Sequence, residues 1–255
     1  MQALEQQRNN LVVKSNQLIQ RTRYSLSEKE QKIILYLISK IMPEDDELKR
    51  YTFSLSDFCR ICGVDDNPQH GSNYSYVKQC LQNLHDKSFW VKEPDGKERL
   101  YSWIKEAEID GSIITVELDQ KLKPFLLQLK GNFTQYELEY TLAMRGKHPI
   151  RIYELLKSYA ELGGYDISVS DLRSKLMIDE KAYPEFKEFK RKVLNNSLRE
   201  INTYTDLDVS VSTIRTGRCI TDLHFTIKKK DYCQRIDAIS DRDTRLRRDY
   251  TWKNI

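Results

Sequence analysis

The sequence lacks several things that would place it in familiar classes. No run approaches the roughly 18 apolar residues of a membrane span. The N-terminal residues Met1 to Arg8 hold no hydrophobic stretch of the kind a secretory signal needs. A cytoplasmic location is therefore expected. Cysteines are few and odd in number: Cys59, Cys62, Cys80, Cys219 and Cys233 in 255 residues. That is too sparse for a disulfide framework and fits a reducing compartment. The phosphate-cradling Gly-x-x-x-x-Gly-Lys-Ser/Thr loop is missing, because Gly146-Lys147 runs into His148 and has no upstream glycine. No ATP-driven step by the chain itself is expected. The four histidines, His70, His85, His148 and His224, form no pair at metal-ligand spacing. Cys59-x-x-Cys62, with Cys80, His70 or His85, is the arrangement closest to a zinc site. It lies in a short helical segment beside Phe58 and Ile61, where small apolar residues pack, and no second such pair exists. No metal and no cofactor are expected.

What is present is an ordinary globular composition, 39% hydrophobic and 31% charged, sufficient for one large domain or two small ones. The net charge of +4 says little by itself. Its distribution says more. Residues 1–130 carry 19 basic and 19 acidic side chains, whereas residues 184–230 carry 10 basic against 6 acidic. A local excess of this kind makes a field attractive to phosphates.

Along the chain, a short apolar patch, Leu11-Val12-Val13, interrupts the polar residues 1–27. Ser27 and Glu30 form a capping-box pair that opens a helix carrying Ile33, Ile34, Leu37, Ile38 and Ile41. A short strand at Tyr51–Ser54 precedes a small helix at Leu55–Cys62, and a second helix is expected at Tyr74–Lys87. Phe89–Lys92 and Arg99–Ile109 read as two strands about the turn Pro94–Lys97, followed by a third at Ile113–Val116. This is the order of a helix-turn-helix with a β-hairpin wing. The second half repeats it: helices at Glu137–Met144 and Pro149–Glu161, a strand, a short helix at Asp171–Met177, a long helix at Pro184–Tyr204, and a hairpin at Leu207–Ile227. Thr52-Phe53-Ser54-Leu55-Ser56-Asp57-Phe58 is echoed by Asp166-Ile167-Ser168-Val169-Ser170-Asp171-Leu172. The echo within a matching order of elements points to a duplicated unit. The expected fold is α+β and helix-rich, two tandem winged-helix domains at 1–125 and 126–239. The boundary falls near 119–136, and residues 240–255 are expected to be a mobile charged tail.

On a helical wheel of 184–204, Phe186, Phe189, Val193, Leu194 and Ile201 take one side. Glu188, Arg191, Lys192, Asn195 and Arg199 take the other, with Lys187 at the flank and Lys190 on the apolar side near the start. Arginine and asparagine are the side chains that pair with guanine and adenine edges in a major groove. Arg215 and Arg218 flank Gly217 at the tip of the wing, within reach of a minor groove or backbone. Lys228-Lys229-Lys230 would add phosphate contacts, or simply solubilise. The first domain offers Lys78, Gln79 and Gln82 on its helix and Lys97 and Arg99 on its hairpin, beside Glu93, Asp95 and Glu98. Its neutral charge suits a mixed role. Solvated surface is the competing reading for every one of these faces.

Three groups of segments carry a resemblance. They are Val12–Ile19 with Leu26–Ile33; Phe125–Lys130 with Phe133-Thr134 and Ile150–Lys157; and Phe186–Leu194 with Glu200-Ile201-Asn202 and Thr205-Asp206. In this order the chain resembles the replication initiator proteins of iteron-type plasmids. The resemblance implies double-stranded DNA as ligand, read at direct repeats of an origin by monomers that help open the duplex. It also implies recruitment of the host initiator and replicative helicase, and dimers, held by the first domain, that repress their own gene. It places the reading helix at Pro184–Tyr204. A winged-helix transcriptional regulator shares all the DNA-binding physics and remains open. A rolling-circle nicking enzyme would need a metal beside its tyrosine, and none of the fifteen tyrosines has a visible activator, so no catalysis is expected.

Overall fold

The computed structural model describes residues 10–42, 44–56, 59, 73–93, 95–179 and 181–251. The small helix expected at Leu55–Cys62 lies mostly outside the described residues, as do Cys62 and His70.

Two winged helices follow one another. The first contains helix α1 (Asn16–Arg21), helix α2 (Glu28–Ile38) and strand β2 (Arg50–Ser54). Helix α3 (Asn73–Asp86) and strands β3 (Ser88–Lys92), β4 (Glu98–Ser102), β5 (Ile104–Asp110) and β6 (Ile113–Leu118) complete it. The capping box forms as the sequence implies: Glu30 N donates to Ser27 Oγ at 3.3 Å and Ser27 N to Glu30 Oε2 at 2.7 Å. Together they satisfy two of the helix's orphan donors.

The second unit contains helix α6 (Lys147–Lys157), strand β8 (Gly164–Ser168), helix α7 (Val169–Lys175) and the long helix α8. Helix α8 runs Phe186–Phe189, a π turn at Lys190–Leu194, then Asn195–Tyr204. Strands β9 (Leu207–Thr216) and β10 (Cys219–Lys229) form its wing. The sheet orders match, β2-β6-β5 in the first unit and β8-β10-β9 in the second. The seven-residue echo sits at the same place in both. Each copy ends a strand with a serine whose hydroxyl meets a second serine two residues on, Ser54–Ser56 at 3.1 Å and Ser168–Ser170 at 3.0 Å. Ser168 also accepts from Asp171 N at 3.0 Å, capping α7.

The sheet pairing corrects the first hairpin. The stretch expected as one strand from Arg99 to Ile109 breaks at Trp103. That side chain is 1% exposed and packs on Phe89 and Tyr24 with centroids 4.5 and 5.0 Å apart. Burying so large an indole bends the backbone and sends the two halves to different sheets. The counterpart of the β9–β10 wing is therefore β5–β6, and β3–β4, with Lys97 and Arg99, is an additional hairpin.

Residues between the two units are more structured than expected, and the short helix α4 covers Lys123–Leu126. Strand β1 (Leu11–Ser15) pairs antiparallel with β7 (Phe133–Glu137), Ser15 opposite Phe133. Glu137 thus ends a strand, and helix α5 covers Leu138–Ala143 rather than Glu137–Met144. Helix α6 packs against both α2 and α8, joining the two units. Beneath it lies a buried polar network. Lys14 Nζ is 2.6 Å from Glu154 Oε1, with both side chains 1% exposed. Tyr136 donates to the same oxygen at 2.6 Å, and Arg151 donates to the carbonyls of Ile19 at 2.6 Å and Thr22 at 3.0 Å. Burial works to raise the Glu154 carboxyl, but the charges of Lys14 and Arg151 with these hydrogen bonds outweigh it and hold it below its ordinary value.

Residues 240–251, expected as a mobile tail, belong instead to helix α9 (Tyr232–Thr251). It packs on α5 and α8, burying Ala238, Arg242 and Leu246. Arg242 pairs with Glu139, donates to Tyr204 O at 3.2 Å and stacks over Tyr140. Two apolar anchors, Ala238 and Leu246, with the buried and paired Arg242 midway between them, fall on one face and dock an otherwise charged helix. Among the described residues no helix is long and apolar enough to cross a membrane.

Candidate nucleic-acid interface

Helix α8 is held by its apolar face. Phe189 and Ile201 are 0% exposed, and Val193 and Leu194 are also buried, against α6, β9 and α9. The opposite face presents Arg191, Lys192, Asn195 and Arg199 to solvent, as the wheel implied, Lys187 at the flank is exposed too, and Lys190 is half-buried. The face also includes Asn196, which the wheel places near the apolar edge. Its Oδ1 accepts from Arg199 Nη2 at 2.6 Å and so orients the guanidinium. Arg199 has a second, weaker tie, 4.0 Å from Glu200. Lys192 lies 3.9 Å from Glu188 and 5.5 Å above the Tyr183 ring. No ion-pair partner for Lys187, Lys190 or Arg191 occurs among the described residues.

The β9–β10 hairpin projects beyond the core. Its strands pair as far as Thr216 opposite Cys219, leaving Gly217 and Arg218 as the turn. Gly217 has φ +63°, a conformation that disfavours side chains, which fits a glycine at this tip. Arg215, in the strand, and Arg218, in the turn, are both exposed and without carboxylate partners among the described residues. The lysine run divides. Lys228 is exposed and has no ion-pair partner among the described residues, Lys229 pairs with Glu161 at 2.6 Å, and Lys230 caps the Asn202 carbonyl. Two of the three lysines are thus occupied in holding the domain together.

The first domain presents Lys78, Gln79 and Gln82 on the exposed face of α3, where Gln79 is bonded to Asn83 at 3.0 Å. Its hairpin cations are answered locally. Arg99 lies 3.0 Å from Asp95 and 3.9 Å from Glu93, and Lys97 lies 4.0 Å from Asp95. On the sheet, Lys105 and Arg50 both reach Glu117, at 2.8 and 3.2 Å. The tip of β5–β6 is Asp110-Gly111-Ser112, with no cation. The hairpin and sheet cations Arg50, Lys97, Arg99 and Lys105 of this domain are paired within it, whereas Lys187, Lys190 and Arg191 of α8 and Arg215 and Arg218 of the second wing have no ion-pair partner among the described residues. His148 adds no charge near neutrality, because burial pushes its ring down to about 4. Among the described residues no three His, Cys, Asp or Glu side chains converge as a metal ion would require, and Cys59 and Cys80 are buried.

Comparison with known proteins agrees with this architecture. The crystal structure of the Pi initiator protein in complex with iteron DNA has a similar fold. Its TM-score is 0.68 over 88% of this chain and 99% of that one, at 18% identity. A replication initiation protein of Escherichia coli is 26% identical over 228 residues, covering 86% of this chain and 69% of that protein. The PI protein of Escherichia coli is 25% identical over 143 residues, 49% of this chain and 47% of its own length. Residues 168–227 match the model of the second winged helix of initiator Rep proteins. Residues 11–157, more than half the chain, match that of the first winged helix of initiator replication proteins. The chain therefore belongs to the initiator replication protein family, with its two winged helices in tandem.

Proposed function

We propose that the protein initiates plasmid replication by binding direct repeats at an origin as double-stranded DNA, with the second domain as the main reader. The observation that carries this is the open basic face of α8 beside the projecting arginine-tipped wing. Arg191 and Asn195, about one turn apart, meet base edges in one major groove. Lys187, Lys190, Lys192 and Arg199 border the groove, and Arg215 and Arg218 meet backbone or minor groove. The first domain, with its internally balanced charges, holds the dimer and lends Lys78, Gln79 and Gln82 to auxiliary contacts. Recruitment of the host initiator and helicase, and repression of its own gene by the dimer, belong to the same reading. No catalytic step is assigned to the chain.

Titration of two variants on repeat and random DNA at several salt concentrations tests the reading. Arg191→Ala costs about 1–3 kcal/mol on the repeat and little on random DNA, since a base contact carries specificity. Arg218→Ala weakens both equally and lowers the salt slope by about one, since a phosphate contact acts through counterion release. If neither variant changes binding, the second domain is not the reader. Open-complex footprinting on a plasmid carrying the repeats separates an initiator, which melts the duplex, from a regulator, which does not.

A further inference from the structure

The π turn within α8 bears on how that helix reads DNA, and the inference rests on the reading above. Asn195 N donates to Lys190 O, five residues back rather than four. On an uninterrupted α-helix Phe189 and Ile201 would lie about 120° apart. Both are nevertheless fully buried. Absorbing one residue in the wide turn brings them to about 20° apart, onto a single face. Two consecutive basic residues, Arg191 and Lys192, stand side by side on the exposed face within that turn. Without the extra residue, an α-helix keeps Phe189, Val193, Leu194, Ser197 and Ile201 together and leaves room for one basic side chain at that crest. Lys192 is the residue whose removal gives this pattern with Arg191 still opposite the core. A helix shorter by that one residue would align the same core without a π turn, and the turn carries both the buried Val193 and Leu194 and the exposed Arg191 and Lys192.

We propose that the π turn is a specificity device: it bulges the backbone at Lys190–Leu194 toward the DNA, so that Arg191 reaches a base edge while Lys192 beside it holds a phosphate. Lys192 is here a positioning residue as well as a contact. Its backbone insertion, more than its charge, determines where Arg191 stands.

Deletion of Lys192 and the substitution Lys192→Ala separate the two contributions, because both remove the charge and only the deletion closes the turn. Binding to origin repeats and to random duplex is measured at several salt concentrations, with thermal unfolding as the control. Lys192→Ala weakens both DNAs alike and lowers the salt slope by about one, and Lys192→Arg behaves as the parent. Deletion of Lys192 leaves the melting temperature near the parent's but lowers the repeat-to-random ratio by about tenfold or more. Should that chain fail to fold, deletion of Lys190 gives the same apolar phasing while turning Arg191 about 100° off the crest, and the same loss of discrimination is expected. If either folded deletion binds both DNAs as Lys192→Ala does, the turn is a passive insertion and the inference falls alone. A parent protein with no preference for repeats would instead refute the function and the inference with it.

Discussion

Replacing Lys14 by methionine probes how the two domains are joined. Methionine keeps the length and apolar stem of the side chain and removes its ammonium. Glu154 then retains the Tyr136 hydroxyl at 2.6 Å and Arg151 Nη1 at 3.9 Å. Removing one partner from a buried pair costs about 3–5 kcal/mol, and the surviving partners argue for the lower end, about 3 kcal/mol. The pH dependence identifies the group. In the parent, the Glu154 carboxyl lies below its ordinary 4.5. Its contribution is present above that pH and is lost as pH falls through the folded value. In Lys14→Met burial governs, the folded value rises above 4.5, and stability falls as pH climbs past it. Both trends widen the gap with rising pH. Urea unfolding of parent and variant should therefore show a deficit near 3 kcal/mol at pH 7.5 that shrinks toward pH 4. The double variant Lys14→Met/Glu154→Gln should recover more than half of it, because no charge is left unpaired. A deficit that is the same at both pH values, or a double variant weaker than the single, would refute the argument that a stranded carboxylate is the cause.

Glu139 and Ser168 give two further tests. Glu139 faces Arg242, yet burial and the neighbouring Glu137 outweigh that attraction and push its carboxyl up to about 7. Between 4.5 and about 7 the folded chain therefore holds a proton the unfolded chain has lost, and stability falls as pH rises across that window. Glu139→Gln should flatten this fall in thermal melts at pH 5 and pH 8, and an unchanged slope would assign it elsewhere. Ser168→Ala removes the cap of α7 and should cost about 1 kcal/mol in denaturant unfolding, whereas no change would mean that water replaces the hydroxyl fully.

Local signals were legible where a residue acts on its own neighbourhood. Ser27 and Glu30 announce α2, and the paired serines mark both strand-to-helix corners. The exposed face of α8 follows from periodicity. What the sequence could not show depends on distant partners or on packing. Leu11–Ser15 is too short to announce a strand, and its partner is near residue 135. Alternation between Arg99 and Ile109 does not record that Trp103 divides the run between two sheets. Helix α9 reads as a charged tail because a few buried anchors dock it. No residue type marks the π turn, so Asn196 falls at the wrong edge of an ideal wheel. The site is best legible in its residue types and least in their phase.

The pairing of β1 with β7 sets an order of events on the ribosome. Lys14 and Glu154 are separated by 140 residues. At about 5–20 residues per second, roughly 7–28 seconds pass between the synthesis of the lysine and that of its partner. Until Phe133–Glu137 is made the N-terminal segment has no strand partner, and until Glu154 is made it has no ion-pair partner, even when the rest of the first winged helix is complete. The first domain is therefore completed from the second half of the chain. A translational pause before residue 133 would prolong the exposure of an unpaired strand, and one placed after residue 154 would let the junction close before α8 emerges.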